Sequence, residues 1–176
     1  MTSAPFTFHL HPSPIGEVLI VSGADGIVTL HPLRDDLSAS LSGLEHQLDA
    51  ALAPDDTTAT ARAAGAQLDE YFAGERTDFD LPLDWRLVRG FTLDALQAVC
   101  RIPYGETAGY GEVAIDAGRP RAARAVGTAC ATTPFSIVVP VHRVVRADGS
   151  LGEYGGHPEI KRFLVDLERD RPVAGE

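Results

Sequence analysis

Cysteine is nearly missing from this chain of 176 residues, which holds Cys100 and Cys130 and no other. Two cysteines exclude a disulfide framework and a four-cysteine zinc site; they leave at most one bridge, and reduced thiols are the expectation. Long apolar runs are missing too. With 23% charged residues, no stretch approaches the roughly 18 apolar residues that span a bilayer. Met1 to Leu10 lacks the basic start of a secretory signal, so a cytoplasmic protein without membrane contact is expected. There is no Gly-rich phosphate loop, no Ser-His-Asp context and no fingerprint for a nucleotide or a methyl donor, so no cofactor is implied. His9 and His11 share one strand face, but no third ligand accompanies them and no metal is expected.

What is present starts with 44% hydrophobic residues, enough to build a core in one medium domain or two small ones. The charge divides unevenly. Met1 to Val88 holds 14 acids against 4 arginines, a balance of -10, whereas Arg89 to Glu176 holds 11 of each sign. The same point divides the chain into expected domains at 1–88 and 89–176. Within the second, positions 117–147 carry Arg119, Arg121, Arg124, Arg143 and Arg146 and no acid. Such an island is either a solvated basic face or a surface that meets phosphates and releases their counterions.

Hydrophobic periodicity predicts an α+β protein. Phe6–His11, Glu17–Val21 and Gly26–Leu30 read as a small antiparallel meander, with Leu37–Leu52 and Thr60–Phe72 as helices that cover it. Thr77–Asp84 alternates and predicts one more strand. The second half is mainly helical: Phe91–Arg101, Ala108–Ala117 closed by Gly118, and Arg121–Ala131 opened by Pro120. Three short helices with tight turns have the form of a helix-turn-helix, winged-helix-like DNA-binding domain whose last helix bears Arg121 and Arg124. Phe135–Val139 is apolar enough for a buried strand, and Pro140-Val-His-Arg-Val-Val145 leads into a Gly-rich turn over Asp148–Gly156.

This succession resembles the O6-alkylguanine-DNA alkyltransferase family. The resemblance is carried by Ile102-Pro-Tyr-Gly-Glu106, Tyr110, Arg121-Ala-Ala-Arg-Ala-Val-Gly127, Pro140-Val-His-Arg-Val144, Gly152–Gly156, and a last helix with Lys161, Leu164 and Glu168. Gln67-Leu-Asp-Glu-Tyr-Phe-Ala-Gly74 is similar to the family's amino-terminal domain. The resemblance implies a monomer that binds double-stranded DNA in the minor groove, with Ala123, Ala125 and Gly127 letting the recognition helix approach the duplex. It implies that O6-alkylguanine is flipped out, with Arg124 filling the gap and Tyr110 pressing on the phosphate. Cys130, Pro140, Val141, Gly152, Tyr154 and Gly155 would line the extruded base.

The family's acceptor is a cysteine thiolate in a Pro-Cys-His-Arg motif, served by a histidine and a glutamate. Here His142 and Glu168 match the second and third roles, but the cysteine position is Val141. Valine has no lone pair and no titratable proton, so it cannot take an alkyl group. The asparagine that in the family braces this turn is Thr133. The chain is therefore similar to the alkyltransferase-like proteins, which bind alkylguanine without repairing it and mark it for excision-repair proteins. Two rivals use the same residues: a stoichiometric alkyl acceptor working through a relocated Cys130, and a degenerate scaffold for protein interactions.

Overall fold

A computed structural model describes residues 5–171, and the chain divides after Leu87 into two compact units. In the first unit, strands β1 (Phe6–His11), β2 (Val18–Gly23) and β3 (Gly26–Pro32) form the expected antiparallel meander. β2 is central and buried on both faces. On one face, Leu19, Val21 and Val28 pack with Leu37, Leu41, Leu44 and Leu48 of helix α1 (Leu37–Leu48). Helix α2 (Ala59–Ala73) packs against β2 and β1, burying Ala61, Ala64, Leu68 and Tyr71. Gly65 is needed for that approach, because a Cβ there would stand 2.9 Å from Nδ1 of His11. Both helices start on side-chain caps, Asp36 accepting from Ala39 N–H and Thr58 from Ala61 N–H, each at 3.1 Å.

Two expectations fail in this unit. The first helix stops at Leu48 rather than Leu52, because Asp49 adopts a left-handed conformation (φ 49°) that a short polar side chain tolerates. Leu52–Pro54 instead forms β4, parallel to β1 at the sheet edge. Leu52 still packs into the same apolar cluster as Leu48, so its apolar spacing continued past the end of the helix. The strand predicted over Thr77–Asp84 is reduced to one bridge between Ile27 and Leu83. Pro82 has no N–H to extend a ladder, although its carbonyl accepts from Ile27 N–H at 2.8 Å.

In the second unit, α3 (Gly90–Val99), α4 (Tyr110–Asp116) and α5 (Ala123–Thr132) pack on one another. α4 begins later than expected because Ala108–Gly109 forms a short strand, β5, parallel to β6 (Val144–Val145). α5 also begins late. Pro120 and Arg121 belong to the turn between the helices, closed by Ala122 N–H donating to the Arg119 carbonyl at 2.9 Å, and the helix opens at Ala123.

Phe135, Ser136, Ile137 and Val139 are buried, but the segment is not a strand. Ile137 has a φ of 70°, and two three-residue turns, Val138 N–H to Ser136 O and Val141 N–H to Val139 O, fold the backbone tightly. An apolar run predicts burial more safely than it predicts conformation. The left-handed geometry of a β-branched residue is strained, and it lies four residues before position 141. Helix α6 (Pro158–Asp170) closes the unit with Lys161, Leu164, Val165 and Glu168 on its buried face.

Candidate functional site

Val141, His142 and Arg143 form a 3-10 turn, and all three are buried. β6 follows directly, and its pairing with β5 brings the start of α4, and so Tyr110, beside this turn. α6 packs against the turn from the other direction. One irregular segment thus meets two helices that come from distant parts of the sequence.

Glu168 is the centre of the buried polar network. Its Oε1 accepts from His142 Nε2 at 2.7 Å and from Arg143 Nη2 at 3.0 Å; its Oε2 accepts from Arg143 Nε at 2.9 Å and from Gly105 N–H at 3.3 Å. Burial alone would raise this carboxyl, but the hydrogen bonds from His142 and Arg143 and the positive charge of Arg143 hold it down at about 2. His142 is fully buried, and burial lowers its pKa below the usual 6.5 against the opposing pull of Glu168. The ring is then neutral, with its proton on Nε2 facing the carboxylate. Among the described residues Nδ1 has no hydrogen-bond partner. That nitrogen is left as a buried acceptor.

The sequence paired His142 with Glu168 but missed the rest of this network. Arg143 was counted with the basic island, yet it is only 6% exposed, gives Nη1 to the Ile102 carbonyl at 2.6 Å and lies 5.7 Å from the centre of the Tyr104 ring. It is therefore no phosphate contact. The Ile102–Glu106 motif is explained by the same bonds: Ile102 supplies a carbonyl, and Gly105, in a left-handed conformation (φ 79°), supplies an N–H. The signal that could have found them is a lone arginine directly after the histidine, amid valines.

Tyr110 is half-buried between three elements. A Cβ on Gly127 would stand 3.8 Å from its ring, a Cβ on Gly152 would stand 3.6 Å from its hydroxyl, and the ammonium of Lys161 lies 5.8 Å from its ring centre. Cys130 is half-buried on α5, and burial pushes its thiol up to about 12 despite the positive charge of Lys161. Pro140 and Tyr154 are buried; Gly152 (φ 74°) is half-buried and Gly155 (φ 55°) is exposed on the loop that follows β6. Thr133 uses its hydroxyl locally, donating to the Phe135 carbonyl at 2.8 Å and accepting from Phe135 N–H at 3.1 Å.

On the outside, Arg119, Arg121, Arg124 and Arg146 are exposed. Ala125 is exposed on α5, while Ala123, Gly127 and Cys130 are half-buried and lie along one stripe of it. Arg119, Pro120, Arg121 and Ala122 line a hollow of about 420 Å³ at the turn. In the other unit, His11 Nε2 bonds Asp69 at 2.7 Å, and no group of three metal-ligating side chains occurs among the described residues. No helix there is long and apolar enough to cross a membrane.

Comparison with known proteins adds to this geometry. A model of the 6-O-methylguanine DNA methyltransferase DNA binding domain matches residues 90–170, and one of the 6-O-methylguanine DNA methyltransferase ribonuclease-like domain matches residues 7–85. The chain is similar to a methylated-DNA--protein-cysteine methyltransferase of Mycolicibacterium paratuberculosis, 44% identical over 161 residues, which cover 89% of this chain and 88% of the relative. It is 50% identical over 108 residues to the Mycobacterium bovis protein of the same description; that match covers 61% of this chain and 65% of the relative, less than two thirds of it. The crystal structure of Mycobacterium tuberculosis OGT in complex with DNA superposes with a TM-score of 0.75 at 38% identity, covering 96% of this chain and 95% of that one.

Proposed function

We propose, from the premise that this chain belongs to the 6-O-methylguanine DNA methyltransferase family, that it binds duplex DNA and holds O6-alkylguanine without removing the alkyl group. The observation that carries this is Val141. A buried hydrocarbon occupies the position where the family's motif places the acceptor sulfur, while the sequence keeps the other motif residues that would handle the lesion, Tyr110, Arg124 and Gly152 among them.

α4, the turn and α5 would act as a helix-turn-helix whose last helix enters the minor groove. Arg121 meets backbone phosphate, and the small Ala123, Ala125 and Gly127 allow close approach. Arg124 enters the stack as the lesion leaves it. Extrusion costs a few kcal/mol, less for a poorly paired alkylguanine, and that difference favours the damaged base. Tyr110 stands at the entrance. The extruded base meets Pro140, Val141, Gly152, Tyr154, Gly155 and Cys130, and burial of the alkyl group against Val141 adds about 0.8 kcal/mol per methylene.

His142 and Glu168 persist as a structural pair, since no thiol is left for them to serve. Cys130 does not take over as acceptor: a thiol held up at about 12 has almost no thiolate at neutral pH. The held lesion would then be passed, in the cytoplasm and by a monomeric protein, to excision-repair proteins.

The test is equilibrium binding to two duplexes that differ only in O6-methylguanine against guanine. The lesion duplex is expected to bind about tenfold more tightly, and Arg124→Ala to lose most of that preference. Equal affinities for wild type contradict the proposal, and no binding to any duplex at low salt would return the chain to an interaction scaffold.

A further inference from the structure

Lys161 is a buried charge that lesion binding, as described so far, leaves unused. It lies on α6 with 1% exposure, and among the described residues its ammonium makes one hydrogen bond, to the Val144 carbonyl at 2.6 Å. Two of its three N–H groups have no acceptor there, and no carboxylate pairs with it. Its neighbours are the Tyr110 ring and Cys130. A cation held this deep without a counter-ion is costly, so it is best accounted for by a partner that arrives with the ligand.

A second cation stands nearby. A Cβ on Gly152 would lie 3.5 Å from Arg146 Nε and 3.6 Å from the Tyr110 hydroxyl, which places the exposed Arg146 at the same entrance. Both charges lie near Tyr110, and the buried Val141 of the turn can neither react with an adduct nor repel it. Charge-assisted hydrogen bonds to a carboxylate are about twice as strong as neutral ones, and more so away from water.

We propose that Lys161 and Arg146 select O6 adducts that end in a carboxylate over neutral adducts of equal size, a specificity that rests on the lesion-binding function above. The anion could also come from the DNA backbone. The burial of Lys161 favours the adduct, because a substituent on an extruded base reaches the pocket floor whereas phosphates stay at the surface.

The experiment titrates the full chain with three duplexes of one sequence, carrying O6-carboxymethylguanine, O6-propylguanine or guanine. The carboxymethyl duplex is expected to bind about tenfold more tightly than the propyl duplex. Lys161→Met is expected to bring that ratio to within about twofold, and Arg146→Gln, on the surface and safe for folding, to reduce it in part. Equal wild-type affinity for the two adducts overturns the inference while leaving lesion binding intact, provided both exceed guanine. If neither exceeds guanine, lesion binding itself has failed. A loss shared equally by all three duplexes in Lys161→Met assigns the ammonium to a phosphate and overturns the proposal.

Discussion

At position 141 a branched hydrocarbon precedes a histidine that is bonded to Glu168, and the stability of that pair follows from its hydrogen bonds. Glu168 accepts hydrogen bonds out of water from His142, twice from Arg143 and from Gly105. Removing the carboxylate leaves the Arg143 guanidinium buried and unpaired, so Glu168→Ala is expected to cost about 3–5 kcal/mol of stability in denaturant titrations. The pH dependence has a definite sign. Glu168 is held at about 2 in the folded chain against an ordinary 4.5, so its contribution is complete above pH 4.5 and is lost as pH falls towards 2. His142, lowered from 6.5, works in the same direction, because the unfolded chain takes up its proton first as pH falls below 6.5. Melting temperature is therefore expected to fall in two stages on acidification, and Glu168→Gln to flatten the lower stage. A melting temperature constant from pH 7 to 3 would refute the network.

At the scale of elements, the proposed function divides two tasks between the turn before α5 and the helix itself. Arg121, in the turn, faces solvent and is assigned to phosphate; Arg124, one helical residue in, is assigned to the base stack. Each phosphate contact contributes about 0.9 to the slope of log affinity against log salt. Arg121→Gln is thus expected to weaken lesion and undamaged duplexes alike and to lower the salt slope by about one. Arg124→Ala is expected to act chiefly on the difference between them. An Arg121→Gln variant with an unchanged slope would remove that residue from the interface.

Elements were legible where turn residues bound short apolar runs, as in β1–β3, and where side-chain period and burial agree, as in α2, with Ala61, Ala64, Leu68 and Tyr71 on its buried face. They were illegible where the buried backbone is irregular. Phe135–Val139 is apolar because it is enclosed, and the left-handed Ile137 leaves no trace in residue type. Leu52 keeps a helical spacing after the helix has ended, since strand and helix feed one core. In the site, His142 and Glu168 were legible as a motif. Arg143 and Lys161 were not, because a charged residue in a sequence reads as surface until its partners are known.

Over the whole molecule, the formal charge of -10 would oppose the proposed association with DNA if it were spread evenly, so the placement of charge decides. The acidic excess belongs to the first half, while the exposed Arg119, Arg121, Arg124 and Arg146 cluster on the unit that carries α4 and α5. Under the proposed function, recognition and chemistry are separable: recognition would use the partly exposed α5 and the loop after β6, and alkyl transfer would need a sulfur at buried position 141, where the chain has valine. Native mass spectrometry on equal amounts of the full chain, an O6-methylguanine duplex and its guanine counterpart reads both properties in one spectrum. The predicted result is a dominant complex with the lesion duplex that dissociates on activation into unmodified protein and still-methylated DNA. Protein heavier by a methyl group, or equal occupancy of the two duplexes, would contradict the account.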